Sequence, residues 1–78
     1  MEISKYDVLP GSGHTADDLG ADGASVRQDY DGFVHVTVWN YDGSRFSYDV
    51  DWNGNFVQGS AHYTDSAAQL MADKFHRW

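Results

Sequence analysis

Asp49-Val50-Asp51-Trp52-Asn53-Gly54-Asn55 reproduces the first half of an EF-hand calcium loop, D-x-D-x-N-G. Calcium takes several hard oxygens, and Asp49, Asp51 and Asn53 could offer three. The match stops there. The position for a bidentate Glu is Ser60, and the flanking residues alternate as strands do. Turn chemistry explains Asn53-Gly54 without an ion, so a calcium module remains an alternative and no metal is assigned.

Other chemistry has less to draw on. Of the four histidines, His14, His35, His62 and His76, the register derived below puts His35 and His62 on one sheet face, with Arg45 facing His62. The two histidines are then two strands apart, about 9–10 Å. That is wide for joint zinc ligation with Asp49. They read as surface histidines able to tune an interface near pH 6.5. There is no cysteine, so no thiolate can act as nucleophile or zinc ligand. Neither G-x-S-x-G nor G-x-x-x-x-G-K occurs. Ser12, His14 and Asp17 are close in sequence, but a triad is defined by geometry, not adjacency. The expectation is a chain that is not an enzyme and carries no cofactor.

The elements that must position these residues are announced by three echoing tripeptides, Tyr30-Asp31-Gly32, Tyr41-Asp42-Gly43 and Trp52-Asn53-Gly54. Asp-Gly and Asn-Gly between alternating apolar residues signal hairpins. A three-residue loop at Tyr41-Asp42-Gly43, with Gly43 left-handed, pairs Asn40 with Ser44. Val38 then faces Phe46, Val36 faces Tyr48, and Val34 faces Val50. A two-residue turn would set the valines against Ser47, Asp49 and Asp51, so the first register is preferred. The same rule at Tyr30-Asp31-Gly32 places Val26 opposite Val36 and Ala24 opposite Val38. At Asn53-Gly54 a two-residue turn is expected instead. It pairs Val50 with Val57 and Phe46 with Ala61, and sets Gly59 beside Tyr48.

After Tyr63 the period changes to about 3.6, with Ala67, Leu70, Met71, Phe75 and Trp78 as one stripe. Thr64 or Asp65 caps this helix, and Lys74, His76 and Arg77 suit its last turn. At the other end, Ile3, Tyr6, Val8 and Leu9 suit an edge strand that Pro10 ends. Residues 10–23, rich in Gly and Asp, read as a loop with one helical turn from Thr15 to Leu19, either functional or mobile. The expected fold is therefore α+β: a four-stranded antiparallel meander over 24–63, a C-terminal helix over 65–78 on its valine face, and an N-terminal edge strand and loop over 1–23. All 78 residues form one domain.

Twelve acidic against five basic residues give a formal charge of −7. A duplex-binding domain normally has the opposite sign, so direct nucleic-acid binding is disfavoured. Attraction to a basic protein surface is favoured. No apolar run approaches the roughly 18 residues of a membrane span. The start of the chain shows no secretory pattern, which gives cytoplasm as the expected compartment.

The second sheet face is then polar with large rings set into it: Phe33, Trp39 and Phe56 among His35, Thr37, Arg45, Ser47, Asp49 and Asp51. Either residues 1–9 cover it or it is an interface, since rings rimmed by charge are typical of interface cores. The candidate partner-binding residues are Asp17, Asp18, Asp22, Asp29, Phe33, Trp39, Asp49, Asp51 and Phe56. In size, charge and layout, residues 24–78 resemble small acidic phage-encoded inhibitors of the anti-CRISPR type. That resemblance implies an inhibitor that occupies a basic, nucleic-acid-binding surface of a larger host protein or ribonucleoprotein complex. The alternative is a homodimer that uses the aromatic face as a self-interface.

Overall fold

Three turns of one kind organise the chain in the computed structural model, which describes residues 1–29 and 31–77. Tyr30 and Trp78, the expected end of the helix stripe, lie outside the described residues. The amides of Asp29, Asn40 and Asp51 donate to the carbonyls of Phe33, Ser44 and Asn55 at 2.7, 2.9 and 2.9 Å. The glycine amide of each loop donates back across the turn, to Asp29, Asn40 and Asp51 respectively. Gly32, Gly43 and Gly54 take φ of 86°, 99° and 85°, which a side chain would strain.

The first two turns join β2 (Gly23–Gln28), β3 (Val34–Trp39) and β4 (Arg45–Val50). Their pairing is the expected one: Val26 with Val36, Ala24 with Val38, Val38 with Phe46, Val36 with Tyr48, and Val34 with Val50. β1 (Glu2–Ile3) adds an edge strand beside β2, and β5 (His62–Tyr63) closes the other edge. The result is one antiparallel sheet in the order β1-β2-β3-β4-β5, followed by the helix α1 (Ser66–Arg77).

The third turn departs from expectation. It is a three-residue loop like the others, so Val50 pairs with Phe56, not Val57. A further turn then intervenes: the amide of Ser60 donates to the carbonyl of Val57, and Gly59 takes φ 82°. Gly59 thus serves a reversal and does not make room for Tyr48. When pairing resumes, Phe46 stands opposite Tyr63 rather than Ala61, and His62 stands opposite Ser47 rather than Arg45. The expected fourth strand is therefore a single bridge, a turn and two paired residues.

Val36, Val38, Phe46, Tyr48 and Val50 are buried on one sheet face. The helix lies on that face through Ala68, Met71, Ala72 and Phe75, at the spacing i, i+3, i+4, i+7 of a helical stripe. The expected stripe was rotated: Leu70 is 64% exposed, while the small Ala68 and Ala72 are buried. The anchor is Phe75, whose ring lies 4.5 Å from Tyr48 and 5.3 Å from Phe46. Asp65 caps the helix, its Oδ1 accepting the Ala68 amide at 2.9 Å and its Oδ2 the hydroxyl of buried Ser44 at 3.0 Å.

The N-terminal arm covers the rest of the same face. Leu9, Ala16, Leu19 and Ala21 belong to the core, and a short 3-10 turn over Asp17–Leu19 carries Leu19 inward. Tyr48 donates its hydroxyl to the Pro10 carbonyl at 2.6 Å, tying arm to sheet. Burial pushes the pKa of that phenol well above the ordinary tyrosine value. Residues 10–23, expected to be functional or mobile, are thus half of the lid over the valines. Among the described residues no helix is long and apolar enough to cross a membrane.

Candidate partner-binding surface

Side chains alternate along strands, so the residues between the buried ones form the opposite face. The register arranges them in rows. Arg27, His35 and Asp49 form one row; Glu2, Ser25, Thr37, Ser47 and His62 the next; Gly23, Trp39 and Arg45 the third. Among the described residues no element lies over them: the helix and the arm are both on the valine side. His35, Thr37, Trp39, Ser47 and Asp49 are half-buried by their neighbours within the sheet, and Arg27, Arg45 and His62 are exposed.

Two features of this face were not read from the sequence. His35 Nδ1 and Asp49 Oδ1 are 2.6 Å apart. The register that pairs Val36 with Tyr48 also pairs His35 with Asp49, so this contact was available to inference. The second is Trp52, which is 69% exposed and packs on Phe33 with ring centroids 5.4 Å apart. Two aromatics at alternate turns, which a meander brings to one end, are the signal that would have found it. Tyr41, 88% exposed, stands at the opposite end.

The nine expected binding residues separate. Phe33, Trp39 and Asp49 lie on the open face, with Asp29 and Asp51 at its Phe33 end. Phe56 does not: its ring is 6.0 Å from Tyr48 and 5.4 Å from Phe75, so it packs against the core. The three-residue loop is the cause, since it turns Phe56 to the face that the two-residue turn would have given Val57. Asp17 and Asp18 lie on the arm, away from the open rows, and Asp22 lies at its junction with β2, beside Gly23, Trp39 and Tyr41.

Of the six carboxylates, Asp18, Asp22 and Asp51 hold the chain's own backbone, as do Asp31 and Asp42 outside the expected set. Asp18 accepts the Thr15 amide at 3.0 Å while Thr15 Oγ1 accepts the Asp18 amide at 3.1 Å, a reciprocal clamp on the 3-10 turn. Those hydrogen bonds, the Thr15 amide first, hold the Asp18 carboxyl below its ordinary value. Asp22 accepts the Tyr41 amide at 2.8 Å, and Asp51 accepts the amides of Asn53 and Asn55. Asp31 accepts the Phe33 amide and Asp42 the Ser44 amide. The Ser44 amide likewise lowers the Asp42 pKa. Asp17 pairs with Lys5 at 3.8 Å, and Asp29 with Arg27 at 3.4 Å.

This geometry leaves the calcium reading without a cage. Asp49 is directed to His35 and Asp51 to its own turn, and no cluster of three or more His, Cys, Asp or Glu residues suited to a metal occurs among the described residues. Comparison with known protein families, with curated proteins and with solved structures finds no match. The surface itself is what bears on function.

Proposed function

We propose that this chain is a small acidic protein-binding module without catalytic activity, which docks on a basic surface through its open sheet face and the Phe33–Trp52 end. The observation that carries this reading is the ring pair at the sheet's end, Trp52 at 69% exposure tilted against a half-buried Phe33. It sits between turns bearing Asp29, Asp31 and Asp51. Exposed rings of this kind supply most of the binding energy when a partner desolvates them. The charge of −7 accelerates encounter with a positive surface.

The most concrete partner is a host-defence nuclease complex. Its nucleic-acid channel is basic, and an inhibitor of the anti-CRISPR type would set carboxylates where phosphates otherwise lie. The test is capture of partners on the immobilised protein from cells that contain such a complex, with Trp52→Ser and Phe33→Ser run alongside. The reading expects a complex that elutes as salt rises, is displaced by nucleic acid and is lost with either variant. Identical capture by the variants, or retention indifferent to salt, contradicts it. A dimer in sedimentation that Trp39→Ser converts to monomer would assign the face to self-association instead.

A further inference from the structure

The Tyr41 end of the open face is built differently from the Phe33 end. A methyl group added to Gly23 would lie 2.6, 2.8 and 3.1 Å from three successive atoms of the Trp39 indole. Those atoms form the N–H-bearing edge of the indole, so that side of Trp39 fits against the bare backbone of β2 where only a glycine leaves room. Beside it is a shallow cavity of about 540 Å³. Its walls are Trp39, Tyr41, Ser25, Thr37, Asn40 and Arg45.

The polar members of that wall are unengaged. Among the described residues, the side chains of Ser25, Thr37, Asn40 and Arg45 make no hydrogen bond or ion pair within the chain. This contrasts with the aspartates, nearly all of which are engaged. Hydroxyl, amide and guanidinium groups converging on a fixed aromatic ring are the ingredients of a small-molecule site. The ring asks for a ligand with a flat, weakly polar face, and the hydroxyls and amide ask for hydrogen-bonding groups at that ligand's edge. Arg45 matches a carboxylate in bidentate geometry. The chain's charge of −7 penalises a ligand with several negative charges.

We infer that the groove over Trp39 binds a sugar ring carrying one carboxylate, a uronic-acid unit of an oligosaccharide. The ring stacks on Trp39, its hydroxyls bond Ser25, Thr37 and Asn40, and its carboxylate pairs with Arg45. The groove lies on the same open face as the proposed docking surface, at the end away from Phe33 and Trp52, and sugar binding there does not depend on that ring pair.

The experiment is a titration of the ¹⁵N-labelled protein with a glucuronic-acid disaccharide, read at the Trp39 indole N–H and assigned with Trp39→Phe. The matching neutral disaccharide and a nucleoside monophosphate are run in parallel. The inference expects a saturable shift, weakened about tenfold by Arg45→Gln, whose exposed side chain leaves the fold intact. Read at the backbone amides of Thr37 and Arg45, Trp39→Phe keeps a flat ring and weakens binding less than Trp39→Ala does. The inference is overturned by no saturable shift at tens of millimolar ligand, or by equal affinity in Arg45→Gln. Binding of the neutral sugar or the nucleotide as tightly as the uronate overturns it too.

Discussion

The two faces of the sheet are made by the same three long strands, yet they are organised by opposite rules. On the valine face the central side chains Val36, Val38, Phe46, Tyr48 and Val50 are buried, and two unrelated segments, the helix and the N-terminal arm, converge to cover them. On the other face nothing converges. Its rows are polar, its rings lie at the two ends, and several of its polar groups have no partner among the described residues. A protein of 78 residues has little core to spare. Committing both lids to one side consolidates that core and leaves the opposite side free for contacts outside the molecule.

Substitutions can break this contrast, beginning with the largest effect. Phe46→Ala removes a fully buried ring that touches Phe75 and Tyr48, and should cost about 3–5 kcal/mol in urea unfolding. Arg45→Gln, the neighbouring residue on the open face, should change stability by about 0.5 kcal/mol or less. Leu9→Ala should cost about 2–5 kcal/mol, because the arm is core and not a tether. A value near zero would return residues 10–23 to the status of a surface loop. Asp65→Ala should cost about 1 kcal/mol, since it frees the Ala68 amide and leaves the buried Ser44 hydroxyl unpaired.

The smallest effect is in acid. Asp18 and Asp42 have folded pKa values below the ordinary 3.8, so the folded state binds their protons less readily than the unfolded chain does. Their contribution is complete above about pH 4 and is lost as pH falls through the lowered values. Thermal melts should therefore shift downward below pH 4, and Asp42→Asn should flatten part of that shift. A Tm independent of pH between 5 and 2 would remove the clamps from the account.

Where sequence reasoning succeeded and failed has a local cause. The β2–β3–β4 register was legible because apolar residues recur at every second position on both sides of each Asp-Gly turn, so only one pairing buries them together. The third hairpin offered Val57 and Phe56 on neighbouring positions, one for each turn length. Choosing Val57 preserved apolar pairing farther along, but that required the strand to run straight through Gly59. The chain instead reverses there, which lets the larger Phe56 reach Tyr48 and Phe75. In the helix, Leu70 outweighed two alanines when judged by size. The sheet selected the alanines, since small residues let the helix approach closely enough for Phe75 to enter. The arm was misread because Leu9, Ala16, Leu19 and Ala21 are separated by glycines and aspartates and show no period.

Of the expected surface, Phe33, Trp39 and Asp49 followed directly from the register, whereas Phe56 inherited the error of the third turn. The carboxylates of the arm looked like a free acidic patch because sequence cannot show which backbone amide an aspartate accepts.

Hydroxyl-radical footprinting read by mass spectrometry tests the central asymmetry most directly, because Trp39 and Met71 report from opposite faces of the sheet and Met1 sets the rate of an exposed side chain. Met1 is 86% exposed and Met71 is 2% exposed beneath the helix. The account predicts rapid oxidation of Met1, Trp52 and Trp39, with Met71, Phe46 and Leu9 protected until the protein unfolds. Oxidation of Met71 as fast as Met1, with Trp39 protected, would mean that the helix or the arm covers the other face.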